Sequence, residues 1–270
     1  MAAPTRPALT LLATAALVAA GLAAAPPSQA LARPSEHRSS EHRSDHRPSS
    51  TKALARPATL KKVKGGYYYG VWGQNNHVTV TVVEAGLQFR DPKPVRWEGF
   101  PKVCHKKRVR HGVKAICPVP RWVSPADPLT LDFEMRLGDD VVDTSTLPAQ
   151  FQASVLADAG RDVVHTGAGD DFINGAFDHD ELWSGDGDDL VNGGESADLV
   201  FGEGGKDRLV GGEVGDVLHG GDGNDSVEGG PGDDTLYGDA GSDTIKCGDG
   251  HDLAESDPAD TRFSCEGVAP

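Results

Sequence analysis

The sequence has 270 residues, with 34 glycines, 18 prolines and a hydrophobic share of 37%. That apolar share is below the usual level for globular proteins, so it excludes a large compact enzyme with one conventional core. The formal net charge of −15 divides unevenly: residues 1–127 carry 20 Lys+Arg against 7 Asp+Glu, and residues 128–270 carry 6 against 34. A basic half and a strongly acidic half indicate two different partners, or two halves that attract each other.

The first segment has the pattern of a secretion signal. An apolar run covers residues 8–25, and small residues follow at Ala30 and Ala32, which is typical of a cleavable signal peptide over 1–32. A membrane anchor is the alternative, and the alanine content of the run and the two prolines after it disfavour that reading. We therefore expect a secreted, extracellular protein with no transmembrane segment in the mature chain.

Residues 33–64 are rich in serine, proline and charge, which predicts a disordered linker. Three Glu/Asp-His-Arg triplets in this segment place histidines at His37, His42 and His46. Loose binding of a transition metal by these histidines is the alternative, and we favour the linker.

Residues 65–135 predict a small, basic, β-rich region. The run 77–83 alternates with the period of a strand, and proline and glycine recur too often for long helices. Its basic patch consists of Lys102, Lys106, Lys107, Arg108, Arg110 and Lys114. We expect this patch to form a solvated face or to turn towards the acidic half, and the alternative is that it binds an anionic cell-surface polymer. No nucleic-acid partner is expected.

The four cysteines suit an oxidising compartment. Four cysteines allow three pairings. We expect the two local ones, Cys104–Cys117 and Cys247–Cys265, because each would close a separate structural unit. Metal binding by these residues is disfavoured, since no C-x-x-C spacing occurs.

Residues 157–255 repeat every nine residues through eleven blocks without an insertion. The eighth position is aliphatic in the first ten blocks and alanine in the last. A disordered Gly/Asp-rich tract, the alternative, would show this composition without a fixed phase. The sixth position is always aspartate: Asp162, Asp171, Asp180, Asp189, Asp198, Asp207, Asp216, Asp225, Asp234, Asp243 and Asp252.

The repeat pattern predicts half a coil per block. Glycine at positions one, two and four allows tight turns with positive φ that leave carbonyl groups exposed. Carbonyl and carboxylate oxygens are hard ligands that suit calcium. Positions seven to nine predict a short strand whose middle side chain points inward. Two blocks then close one coil of 18 residues.

Blocks that lie two apart share one side of the coils, so the aspartates form two rows. Their five and four gaps would hold up to about nine Ca²⁺ ions. The first edge carries Asp162, Asp180, Asp198, Asp216, Asp234 and Asp252, and the second edge carries Asp171, Asp189, Asp207, Asp225 and Asp243.

Position four distinguishes the two edges. On the first edge it is occupied by Asp178, Ser196 and Val214 in three of the blocks. We expect the second edge to hold the tighter sites and the middle of the first edge to bind weakly. The second edge keeps its glycines as candidate turn ligands: Gly169, Gly187, Gly205, Gly223 and Gly241.

The blocks match G-G-x-G-x-D-x-U-x, and the chain thereby resembles the RTX, or haemolysin-type, calcium-binding nonapeptide-repeat family of secreted bacterial proteins. The resemblance implies an all-β fold, a right-handed parallel β-roll with calcium between its turns.

Both ends of the roll need caps, because open solenoid ends expose strand edges. Residues 136–156 predict an N-terminal capping coil, in which Asp140 precedes Asp162 by 22 residues and is a candidate extra ligand. The four additional residues predict a bulge around Leu147-Pro148. Residues 256–270 lose the nine-residue phase and predict a C-terminal cap.

These features favour a secreted, non-enzymatic calcium-binding protein that acts as an extracellular structural or adhesive module. The alternative is an exported enzyme or toxin-like protein in which the repeats only assist folding. Neither H-E-x-x-H nor G-x-S-x-G occurs in the sequence, which disfavours that alternative. The repeats also lack the threonine ladder of an ice-binding solenoid.

Overall fold

A computed structural model describes residues 58–71, 75–92, 97–98, 101–107, 109–255 and 258–268. The expected signal peptide, the three linker histidines and Arg108 lie outside these residues. The described residues form strands and turns only, without a helix.

The strands are short, in agreement with a chain that turns every nine residues. In chain order they are β1 (Ala58–Val63), β2 (Gly66–Gly70), β3 (His77–Val83), β4 (Gly86–Asp91), β5 (Trp97–Glu98), β6 (His105–Lys107), β7 (Val113–Cys117), β8 (Leu129–Glu134), β9 (Val141–Asp143), β10 (Phe151–Ala159), β11 (Val163–His165), β12 (Phe172–Phe177), β13 (Glu181–Trp183), β14 (Leu190–Gly194), β15 (Leu199–Phe201), β16 (Gly204–Gly205), β17 (Arg208–Gly212), β18 (Val217–Gly223), β19 (Ser226–Pro231), β20 (Thr235–Gly241), β21 (Thr244–Asp249), β22 (Leu253–Ala254), β23 (Thr261–Phe263) and β24 (Gly267–Val268).

The chain alternates between two sheets, so each coil contributes one strand to each sheet. The first sheet has the order β23-β21-β19-β17-β14-β12-β10-β8-β2-β1-β5. The second sheet has the order β24-β22-β20-β18-β15-β13-β11-β9-β3-β4-β7-β6, with β16 beside β18. From β2 to β23 and from β3 to β24 neighbouring strands are parallel, which makes a parallel β-roll.

The predicted 18-residue coil is confirmed by the strand register. Phe172 pairs with Leu190 in the first sheet, and Leu182 pairs with Val200 in the second. Position-eight side chains from both sheets point into one narrow core and are at most 1% exposed. Each coil therefore buries two aliphatic side chains, which explains how the fold forms with so little apolar sequence. They are Val164, Ile173, Leu182, Val191, Val200, Leu209, Leu218, Val227, Leu236, Ile245 and Ala254.

The roll begins earlier than the repeats predict. We expected a separate β-rich region over 65–135, but β2 and β3 form the first parallel coil and β8 and β9 the second. The linker expected as far as residue 64 also ends sooner, because β1 pairs antiparallel with β2. The sequence conceals this continuity because residues 84–128 are inserted between the first two coils.

Aromatic side chains fill the core at this end of the roll. Tyr67 and Tyr69 are 1% exposed, and their hydroxyl groups donate to Pro118 O and Asp91 Oδ2, both at 2.9 Å. Phe133 packs against Tyr69 with ring centroids 6.3 Å apart. At the N-terminal end of the roll, large aromatic rings therefore fill the core in place of the aliphatic position-eight side chains.

The second sheet is extended at the same end by the antiparallel strands β4, β7 and β6. The predicted disulfide Cys104–Cys117 joins the residue before β6 to the end of β7. The basic patch lies in this extension, where Lys102, Lys106, Lys107 and Arg110 are exposed and Lys114 is half-buried.

The expected bulge precedes the repeats. Val141 pairs with Val163, a separation of 22 residues, so four additional residues are accommodated between β9 and β10. Leu147 is 3% exposed and accepts a hydrogen bond from Ala168 N at 2.9 Å through its carbonyl oxygen. The bulge is therefore packed against the roll.

Candidate metal centre

The position-six aspartates form two continuous rows, as the sequence predicted. In each row the Oδ1 atom accepts a hydrogen bond from the backbone N–H of the aspartate 18 residues earlier, at 2.7–3.0 Å. All eleven repeat aspartates are at most 4% exposed. The rows place buried carboxylates at the strand spacing of a sheet, about 4.8 Å.

The second carboxylate oxygen has a different environment. In ten of the eleven repeat aspartates the Oδ2 atom is buried and receives no hydrogen bond among the described residues. In Asp171, Oδ2 accepts a hydrogen bond from Gly167 N at 3.1 Å. Buried polar atoms are normally satisfied, and a row of bare acceptors requires a donor or a cation. The ten are Asp162, Asp180, Asp189, Asp198, Asp207, Asp216, Asp225, Asp234, Asp243 and Asp252.

A backbone carbonyl of the following coil lies beside the bare oxygen in six of these aspartates: Asp180, Asp198, Asp207, Asp216, Asp225 and Asp234. A Cβ atom added at Gly193 would lie 2.5 Å from Asp198 Oδ2 and 2.6 Å from Gly211 O. The same arrangement occurs at Gly220, where the neighbours are Asp225 Oδ2 at 2.6 Å and Gly238 O at 2.7 Å. Glycine at position one leaves room between two oxygen atoms that have no proton to share, and this donor set suits a hard cation such as calcium.

Position one carries a hydroxyl group in two second-edge blocks. Thr166 Oγ1 donates to Ser184 O at 2.7 Å, and Ser184 Oγ donates to Gly202 O at 3.0 Å. Each hydroxyl group thus donates to the position-one carbonyl oxygen of the following coil, and glycine at position one has no side chain that could do so. The early turns of the second edge therefore differ chemically from the later ones.

The three first-edge residues that replace glycine at position four have a left-handed backbone conformation. Asp178, Ser196 and Val214 have φ values of 69°, 83° and 75°. On the second edge Gly187 and Gly223 have φ values of 129° and 159° at the same position, which side-chain-bearing residues rarely adopt. The turns without glycine thus have a different conformation at position four.

Burial raises the pKa of the row carboxyl groups. Desolvation is the largest cause throughout, and neighbouring aspartates in the same row add to it. The pKa is raised to about 8 for Asp162, Asp189 and Asp216, to about 7 for Asp180 and Asp207, and to about 6 for Asp171, Asp198, Asp234 and Asp243.

The first-edge row continues at the N-terminal end through the predicted extra residue, Asp140. Asp140 N donates to Asp162 Oδ1 at 2.7 Å, and Asp140 Oδ1 accepts from Asn76 Nδ2 at 3.0 Å. Asp140 is 1% exposed. Sequence reasoning missed Asn76, because it belongs to a coil without the nonapeptide pattern.

A stacked aromatic column on the second sheet was also missed. Position nine of alternate blocks brings the rings together with centroids 4.2–5.4 Å apart and planes within 15° of parallel. The signal becomes visible when every second block is read. The column consists of His165, Trp183, Phe201, His219 and Tyr237.

Over the described residues, no three His, Cys, Asp or Glu side chains converge on one point as a metal-binding group. The centres instead combine single carboxylates with backbone carbonyls of adjacent turns. Such centres have oxygen ligands only, which favours calcium over the transition metals.

The parallel roll and its carboxylate rows define a calcium-binding β-roll. Residues 154–182, 183–218, 210–245 and 219–254 match the family model of the RTX calcium-binding nonapeptide repeat. The repeat region accordingly consists of RTX repeats, and these are calcium-binding. Neither the curated proteins nor the solved structures contain a match to this chain. In the part of the chain that the structure describes, no helix is long and apolar enough to cross a membrane.

Proposed function

We propose that this protein is secreted and non-enzymatic, and that calcium folds its repeats into an extracellular structural or adhesive module. The observation that carries the proposal is the row of buried Oδ2 atoms without a donor. Ionised carboxylates in this arrangement require a cation between the coils.

The charge of the repeats supports the same proposal. Residues 157–255 contain 26 Asp+Glu and 4 Lys+Arg, a net charge of −22. Carboxylates stacked at about 4.8 Å repel one another strongly where water is excluded. About nine Ca²⁺ ions, one for each gap of the two edges, would leave a net charge of about −4.

Secretion is supported by the signal-like sequence over 1–32 and by the two disulfides, Cys104–Cys117 and Cys247–Cys265. Extracellular calcium would then reach the repeats only after export. N-terminal sequencing of protein recovered from the culture medium tests this step, and we expect cleavage near residues 30–32. Protein found only inside the cell with residue 1 intact would contradict it.

The folding proposal is tested by circular dichroism of the protein as calcium is raised from chelator to millimolar concentration, with magnesium as the control ion. We expect a cooperative gain of β signal with calcium alone, because magnesium prefers six-coordinate sites with several waters. The fluorescence of Trp183, which stacks between His165 and Phe201 at 4.3 and 5.4 Å, should change over the same range. An unchanged spectrum, or an equal response to magnesium, would contradict the proposal.

The structural or adhesive role has a separate test. Calcium-loaded protein is added to the producing cells, and the bound fraction is measured before and after a wash with chelator. We expect retention that chelator reverses. Hydrolytic activity that appears with calcium loading would instead favour an exported enzyme.

A further inference from the structure

Two carboxylates beyond the repeats continue the aspartate rows. Asp243 N donates to Asp260 Oδ1 at 3.1 Å, and Asp252 N donates to Glu266 Oε2 at 3.1 Å. Inside the repeats the same bond joins aspartates 18 residues apart, whereas here the separations are 17 and 14 residues. The C-terminal cap therefore reproduces the position-six contact from a sequence that lacks the repeat pattern.

The backbone pairing shows the same equivalence. Thr261 N donates to Asp243 O at 2.8 Å, just as Thr244 N donates to Asp225 O at 2.8 Å one coil earlier. Gly267 N donates to Asp252 O at 2.9 Å on the other edge. Asp260 and Glu266 thus occupy position six of two further half-coils.

The two half-coils differ in the length of the turn before the carboxylate. Four residues separate Glu255 from Asp260, against five in a repeat turn, but only two separate Phe263 from Glu266. Calcium takes six to eight oxygen ligands, and a turn of two residues offers fewer backbone carbonyls than a turn of four. Glu266 is also exposed, whereas Asp260 is half-buried.

The carboxylates of Asp243 and Asp260 face each other without a donor. Asp243 is 2% exposed, and the Oδ2 atoms of both residues are buried and receive no hydrogen bond among the described residues. Opposed acceptors in a buried gap meet the requirement for a cation.

We propose that Asp243 and Asp260 form a further calcium site, between the last second-edge repeat and the C-terminal cap. The proposal rests on the calcium-folded roll proposed above and adds one ion outside the nonapeptide repeats. The disulfide Cys247–Cys265 ties the same cap to the last coil. The ion and the disulfide therefore close the C-terminal end of the roll together.

The test counts the ions bound to the full chain at saturating calcium, by equilibrium dialysis with radioactive calcium. Asp260→Asn keeps an acceptor for Asp243 N but removes the charge, and we expect one ion fewer than in the wild type. Asp233→Asn is the matched control, since Asp233 is exposed and accepts from His251 N at 2.9 Å outside both rows. We expect the wild-type count for this control and for Glu266→Gln.

A second variant separates ion binding from simple capping. Asp260→Glu retains a carboxylate, so ion binding predicts the full count with glutamate and a loss with asparagine. A hydrogen-bond cap predicts that asparagine serves at least as well as glutamate. A wild-type count in Asp260→Asn, or loss of folding in both variants, would overturn this site. A wild-type chain that binds no calcium would overturn the function of the whole roll instead.

Discussion

The two carboxylate oxygens of a row aspartate have different environments. Oδ1 accepts a backbone hydrogen bond from the preceding coil, which an amide oxygen would also do. In every repeat aspartate except Asp171, Oδ2 has no donor among the described residues, which explains why the residue is aspartate rather than asparagine. Asparagine substitution therefore isolates the ionic part of the interaction.

Asp207→Asn should weaken calcium binding while the backbone contact of Asp189 N is retained. We expect fewer bound ions, a higher calcium midpoint, and a free energy of unfolding lower by about 2.7 kcal/mol for each site lost at calcium 100-fold above its Kd. Calorimetric titration and thermal unfolding in calcium measure these changes. Asp188→Asn is the control, because Asp188 is exposed and accepts from Lys206 N outside the rows. Equal effects of the two substitutions would contradict the prediction.

Acidification should have opposite effects with and without calcium. The folded-state pKa values of about 6–8 lie above the unfolded value of 3.8, so protonation favours the folded metal-free roll. This stabilisation is fully present below about pH 4 and is lost as the pH rises through 6–8. In chelator we therefore expect β signal to increase as the pH is lowered from 8 to 5. In limiting calcium protons compete with the ion, and the calcium midpoint should rise. Circular dichroism against pH checks both, and no pH effect in chelator would contradict the first.

At the scale of the turn, glycine is required where the preceding coil approaches closely. A Cβ atom at Gly223 would overlap the carbonyl oxygen of Gly205, and its φ of 159° is rare for other residues. Val214 occupies the equivalent first-edge position with φ 75° and is 56% exposed. A β-branched residue in the left-handed region is strained, so this turn is less stable than its glycine counterparts.

Substitutions at these two positions should have opposite signs. Val214→Gly should raise the free energy of unfolding in calcium by about 1 kcal/mol, because it relieves the left-handed strain. Gly223→Ala should lower the free energy of unfolding by several times that amount, because the added Cβ overlaps backbone that cannot move independently. Thermal unfolding and the calcium midpoint measure both. Destabilisation by Val214→Gly would contradict the account of the first edge.

At the scale of the whole molecule, the N-terminal region serves as the cap of the roll. Tyr67 pairs with Leu131, Val78 pairs with Val142, and both sheets run from these coils into the repeats without a break. The hydrophobic core likewise extends from Ala58 to Ala254 as one cluster. An uncovered end would expose apolar side chains and unpaired strand edges.

A chain that begins at residue 129 should therefore fold less readily than one that begins at residue 58. We expect a higher calcium midpoint and association into larger species, because β8 and β9 lose their neighbours. Size-exclusion chromatography and circular dichroism in calcium compare the two. A monomeric short chain with an unchanged midpoint would show that the N-terminal coils are dispensable.

The sequence alone determined the repeat unit, the 18-residue coil, the inward aliphatic positions and the two aspartate rows. All of these follow from residues at fixed spacing, because the turn and strand of each block are local structures. The 22-residue spacing before Asp162 likewise located the bulge at Leu147.

Only the tertiary structure decided where the roll begins and ends. Coils β2–β3 and β8–β9 pair with the repeats although an insertion separates them, and Asp260 reaches Asp243 with a turn one residue short. The physical reason is that parallel pairing needs only extended backbone in register with a neighbouring coil, whatever the intervening sequence. A periodic pattern therefore reveals the middle of a solenoid, whereas its ends are recognised by what they pair with.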